Sequence, residues 1–214
     1  MTNNHGPDIE AADVLRMFPT FVWKAELKPD VYQEINENIL TKLDQLRQTL
    51  PELAPGQAWQ SDQALHELDE FHELVSCVND TSRSVLKFLK IGCDTFRITA
   101  LWANVLMPRA GHRMHSHPNN FLSGVYYVQT HEEADTINFH DPRSQTGIIR
   151  PPVTELTAEN TDQVVVKVKN GTLLLFPAWL PHSVDATSSK KARISISFNI
   201  MLDSYSEDLS KPLW

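Results

Sequence analysis

The chain has 214 residues, 41% of them apolar, and a formal charge of −8 from 27 acidic against 19 basic side chains. That length fits one domain able to bury a core without disulfides or structural metal. The acidic balance argues against non-specific binding to nucleic acid or anionic membrane, which needs a basic excess to displace counterions.

The opening stretch, MTNNHGPDIEAADVLRMF, lacks the basic and apolar regions of a secretory signal, and no apolar run reaches membrane-spanning length. Cys77 and Cys93 form no CxxC pair, so they read as two small side chains in a reducing compartment. A cytoplasmic, soluble protein is expected, with no nucleic-acid or membrane partner.

From Asp30 to about Leu50, the residues Ile35, Ile39, Leu43, Leu46 and Leu50 recur at helical spacing until Pro51 ends the run. A second helical region covers roughly 65–89, with Asn79 to Ser82 as a candidate break. After Gly92 the period changes. FRITALWANVL alternates, placing Phe96, Ile98, Ala100, Trp102 and Asn104 on one face. Short β-rich runs follow at 123–128, 136–141, 164–169, 172–177, 182–187 and 193–200. Asn170-Gly171 is a tight-turn signal between two of them. The chain is thus expected to be one unit, 1–214, with a helical part at 1–92 and a β-barrel or jelly-roll core at 93–214.

His115 and His117 stand two residues apart, so an extended segment would turn both imidazoles to one side. His182 follows an apolar strand on a corner stiffened by Pro177 and Pro181, a rigid mount for a ligand. RISISFNI splits by parity: Ile194, Ile196, Phe198 and Ile200 against Arg193, Ser195, Ser197 and Asn199. A hairpin centred near Thr187 and Ser188 would set Arg193 opposite His182 on one face. A guanidinium inside a barrel is costly unless an anion meets it, which implies a carboxylate held by Arg193 and Ser195.

Several of these stretches together resemble the iron(II)- and 2-oxoglutarate-dependent oxygenases, in particular a bacterial and phage group: MFPTFVW, WQS at Trp59 to Ser61, HSHPNNFLSGVYYV, INFHDPR, GTLLLFPAWLPHSV and RISISFN. The resemblance covers most of the chain. It implies a double-stranded β-helix, or jelly roll, mainly β with N-terminal helices packed on one face. It implies hydroxylation of a small-molecule or peptide substrate, with succinate and CO2 as co-products. Carried over by position, His115 matches the first Fe(II) ligand and His182 the distal histidine, while His117 stands where the family usually has a carboxylate. Arg193 and Ser195 match the motif that holds the far carboxylate of 2-oxoglutarate. Tyr126 or Tyr127 would add a hydrogen bond, and strand alternation allows only one of them. Asn104 and Asn199 are further candidates for the inner wall.

Imidazole at position 117 keeps the ligand count and raises the charge of the site by one unit, which favours a dianionic cosubstrate. Asp141 is the nearest alternative carboxylate donor. His112 could approach the metal, and His140 could support a ligand from behind. His5, His66, His72 and His131 read as solvated, and Arg109, Arg113, Arg143 and Arg150 as solvated or turned towards an anionic substrate. Two other readings stay open: a three-histidine cupin-type metalloenzyme without 2-oxoglutarate, and a non-catalytic jelly roll with a structural metal. Exposed strand edges and the C-terminal SKPLW leave room for a homodimer.

Overall fold

The computed structural model describes residues 11–93, 95–143, 149 and 151–203. His5, Arg150 and the C-terminal SKPLW lie outside the described residues.

Pro29 opens helix α1 (Pro29–Arg47), at the position where a missing N–H costs nothing. Ile35, Ile39 and Leu43 are buried, whereas Leu46 in the last turn and Leu50 beyond the helix end are partly exposed. Two 3-10 turns, Leu65–Glu67 and Asp69–Phe71, lead into α2 (His72–Phe88). The expected break at Asn79 to Ser82 does not occur. The hydroxyls of Thr81, Ser82 and Ser84 donate to the carbonyls of Cys77, Val78 and Asp80, four residues earlier, so the helix satisfies them internally.

The strands are β1 (Trp23–Glu26), β2 (Ala58–Gln60), β3 (Phe96–Leu106), β4 (His112–His115), β5 (Leu122–Gln129), β6 (Thr136–His140), β7 (Gln163–Lys167), β8 (Thr172–Pro177), β9 (His182–Val184) and β10 (Arg193–Leu202). They form two antiparallel sheets, ordered β1-β8-β5-β10-β3-β2 and β4-β9-β6-β7. β2 and β3 pair in the larger sheet; beyond β3 the chain shuttles between sheets, and only β6 and β7 are both consecutive and paired. This is the expected double-stranded β-helix. The N-terminal part is not purely helical: β1 and β2 extend the two edges of the larger sheet.

The shuttling corrects one local expectation, and the tight turn expected at Asn170-Gly171 forms. β9 and β10 belong to different sheets, so they form no hairpin. The Asn170-Gly171 turn likewise carries the chain from β7 in one sheet to β8 in the other. It closes with a Thr172 N–H to Lys169 carbonyl bond of 3.0 Å, with Gly171 at φ +80°.

Two apolar layers result. Ile35, Phe71 and Val78 from the helical side pack on Leu101, Tyr126 and Phe198 of the larger sheet. Tyr127, Ile137, Phe139, Leu174 and Phe176 fill the space between the sheets. The single face expected for β3 breaks at a bulge: Asn199 pairs with Ala100 and Ile200 with Ile98, leaving Thr99 over. Phe96 and Ile98 therefore pack with Leu101 and Ala103 on the helical side, while Trp102 turns towards the inter-sheet space and contacts His117.

Candidate metal centre

His115 ends β4 and His182 begins β9, and the two are direct partners across the ladder, with ring centroids 4.4 Å apart. His117 lies just beyond β4. Its N–H donates to the Ala178 carbonyl at 2.8 Å, which pins the HxH segment to the β8–β9 corner. Its ring stacks on that of His182, 5.2 Å between centroids and 6° between planes, and rests against Trp102 at 5.8 Å.

The ring nitrogens converge. One ligand atom from each of His115, His117 and His182 lies within 4.8 Å of the others. The Nε2 atoms of His117 and His182 stand 3.3 Å apart. Ligands about 2.1 Å from a shared ion stand roughly 3.0–3.4 Å from one another in octahedral or tetrahedral arrangements, so this spacing suits an ion between them. Burial, then the neighbouring His115, pushes His117 down to about 4. His182 is also lowered to about 4, chiefly by burial, against a bond to the Leu180 carbonyl that acts the other way. Both are neutral at physiological pH, the form that binds a metal.

At the other end of the same space sits Arg193, 3% exposed. Its Nη1 donates to the Thr136 carbonyl at 2.8 Å, and its guanidinium lies over the Tyr127 ring, 5.1 Å from the centroid. Its Nε is buried without a partner, and no carboxylate among the described residues pairs with it. The Tyr127 hydroxyl beside it is also buried and meets no partner in good geometry. Burial raises the Tyr127 pKa, partly offset by the guanidinium, so the phenol keeps its proton and can donate. Ser195 lies two residues along β10 on the same face, directly opposite Tyr127. Imidazoles, Tyr127, Arg193 and Ser195 thus line one cavity that is partly open to solvent.

Not every expected residue reaches it. Tyr126 points the other way: its hydroxyl donates to Asn36 Oδ1 of α1 at 2.8 Å, inside the helical layer. Asn104 donates to Ser197 Oγ and Asn199 accepts from Ser123 Oγ, so both brace serines of the wall instead of lining it. Asp141 is held by the Arg143 guanidinium at 2.6–3.2 Å and stands outside the histidine cluster. His140 meets Ser183 Oγ at 2.9 Å, on the residue after His182. His66 and His131 are not fully solvated, since each has one ring nitrogen buried without a partner. His72 is exposed, as are Arg109 and Arg113.

Two contributors went unrecognised from the sequence. The Thr136 carbonyl carries no side-chain signal at all. Trp102 was readable only as an inward-facing apolar residue.

Residues 100–199 match the family model described as "Putative 2OG-Fe(II) oxygenase". No protein of curated function matches the sequence. Among solved structures, a Pseudomonas putida prolyl-4-hydroxylase is similar over 86% of this chain and 93% of its own, at 12% identity and a TM-score of 0.56. SnoK, a non-haem α-ketoglutarate-dependent carbocyclase of nogalamycin biosynthesis, is similar over 91% and 89%, at 16% identity and a TM-score of 0.61. HygX of Streptomyces hygroscopicus, solved with nickel and 2-oxoglutarate bound, is similar over 86% and 83%, at 10% identity and a TM-score of 0.58. At such identities the likeness establishes the shared fold.

Proposed function

We propose a division of roles within a chain that belongs, over residues 100–199, to the 2OG-Fe(II) oxygenase family. Nε2 of His115, His117 and His182 would hold Fe(II). With 2-oxoglutarate and dioxygen, the bound ion supplies oxidation of a substrate C–H bond, with succinate and CO2 as co-products. The chain's own residues bind, orient and exclude water. Arg193 grips the far carboxylate of the cosubstrate, Ser195 and the Tyr127 hydroxyl donate to it, and Phe176 and Ile137 keep the span between dry. A small molecule or peptide would approach from the exposed side of His115. No helix among the described residues is long and apolar enough to cross a membrane, and both cysteines are free, in keeping with the cytoplasmic setting we propose.

The observation that carries this reading is the unpaired guanidinium. A cation 3% exposed, with an orphaned Nε and an orphaned phenol beside it, is a site short of one anion. Three imidazole ligands favour a second reading, a histidine-only metalloenzyme that uses no cosubstrate. That reading leaves Arg193 without a purpose.

The test is anaerobic addition of Fe(II) and then 2-oxoglutarate, watching for the visible charge-transfer band of the chelate. Succinate should form once oxygen is admitted. If wild type gives neither, and Arg193→Ala leaves 2-oxoglutarate affinity unchanged, the reading is wrong.

A further inference from the structure

Four histidines line the cavity, and three of them converge. The fourth, His112, stands outside the cluster of ligand nitrogens. It faces the cavity for a local reason. His112 pairs with Val184 and His115 with His182, so β4 uses three steps where β9 uses two. The extra residue is a bulge, and it turns two residues of odd spacing to one side.

The position of His112 is specific. Its ring meets that of His115 edge-on with centroids 6.2 Å apart. It is also close enough to Arg193 to interact with its charge. It therefore belongs to the wall that the ligand histidines and the guanidinium share. Neither of its ring nitrogens has a hydrogen bond to a described residue. A neutral imidazole carries one N–H donor. That donor faces the cavity shared with the ligand histidines and Arg193, where a bound anion would accept from it.

We propose that His112 is a cosubstrate-binding residue, donating its N–H to the 2-oxoglutarate dianion where it spans from the histidine cluster to Arg193. The inference rests on the function proposed above and adds a binding group to it.

The test titrates 2-oxoglutarate anaerobically into Fe(II)-loaded wild type, His112→Ala, His112→Gln and Arg193→Ala, reading the charge-transfer band. Fe(II) affinity is measured separately, and circular dichroism checks folding. His112→Ala should raise the Kd for 2-oxoglutarate roughly tenfold while moving that for Fe(II) by no more than about twofold. His112→Gln, which keeps an N–H donor in similar volume, should recover part of the loss. Unchanged 2-oxoglutarate affinity in both His112 variants, alongside a clear loss in Arg193→Ala, overturns this inference and leaves the function standing. A parallel fall in Fe(II) affinity also overturns it, by making His112 a ligand. Absence of 2-oxoglutarate binding in wild type removes the function and this inference together.

Discussion

His115 and His182 face each other across β4 and β9, and each places its Nδ1 against a main-chain carbonyl two residues upstream: Arg113 at 2.7 Å and Leu180 at 2.9 Å. A ring that donates from Nδ1 keeps its lone pair on Nε2. The backbone thus fixes the tautomer of both rings. His115→Ala or His182→Ala should lower Fe(II) affinity at least about a hundredfold, measured by equilibrium dialysis.

His117 sets charge more than ligand count. His117→Asp exchanges a neutral ligand for an anionic one and restores the two-histidine, one-carboxylate set. Metal should still bind. Cosubstrate affinity should fall by about tenfold, because the site then carries one positive charge fewer to meet a dianion. Anaerobic titration of wild type and His117→Asp with Fe(II) and then 2-oxoglutarate separates the two effects, and equal or tighter 2-oxoglutarate binding by His117→Asp would contradict the charge argument.

Arg193 holds an unbalanced charge in the ligand-free protein. Replacing a buried, unpaired ion with an apolar side chain of similar size is often neutral or stabilising. Arg193→Met should therefore match or exceed the wild-type melting temperature without ligand, yet gain nothing when 2-oxoglutarate is added to metal-loaded protein. Wild type should gain several degrees at saturating cosubstrate. Differential scanning fluorimetry with and without ligand reads both.

The tyrosine pair offers a clean contrast. Tyr126→Phe removes a bond to Asn36 Oδ1 and should cost about 1–2 kcal/mol of stability with no change in cosubstrate affinity. Tyr127→Phe removes a hydroxyl that meets only the Arg193 guanidinium, and in poor geometry. It should leave ligand-free stability within about 0.5 kcal/mol and weaken 2-oxoglutarate binding severalfold. Urea melts paired with ligand titrations distinguish them.

Gly111 precedes β4 flush against the end of β9. A Cβ there would stand 2.5 Å from the Val184 carbonyl oxygen and 2.9 Å from the Ala186 nitrogen, both backbone atoms that cannot swing away. Gly111→Ala should push the two strands apart, costing about 1–3 kcal/mol and loosening the His115–His182 pair. Metal affinity should drop although no ligand is changed.

Acid should weaken the metal-free protein before its carboxylates titrate. His112, His117 and His182 are each held near 4 in the folded state, chiefly by burial, against an ordinary 6.5. Above pH 6.5 they are neutral in both states. Between about 6.5 and 4 the unfolded chain takes up protons that the folded one refuses, so stability declines with falling pH, by at most a few kcal/mol for coupled sites. Below about 4 this contribution levels off. A melting temperature that stays flat from pH 7 to pH 4.5 would contradict it.

Much of the site was legible where a simple period governs. Arg193, Ser195 and Ser197 share a face because a strand repeats every two residues, and Ile196, Phe198 and Ile200 take the opposite one. The link between Arg193 and His182 was legible only by its outcome. A hairpin was expected, whereas the two strands lie in facing sheets and meet across the inter-sheet space. Bulges defeat parity: one splits the expected face of β3, and another brings His112 alongside His115. The choice between Tyr126 and Tyr127 depends on Asn36, a residue of α1 ninety positions earlier that no local pattern connects to it. Neither β4 nor the edge strands β1 and β2 run long enough to reveal a period.

The shuttling of the chain between sheets has a kinetic side. Nearly all the strand pairings join segments distant in sequence, a topology that folds slowly because loop entropy is lost before contacts form. His117 and His182 come from opposite ends of four intervening strands and meet only once both sheets are closed. An ion held by them cannot seed folding. It can only delay escape from the finished state, so added metal should slow unfolding while leaving the refolding rate where it was.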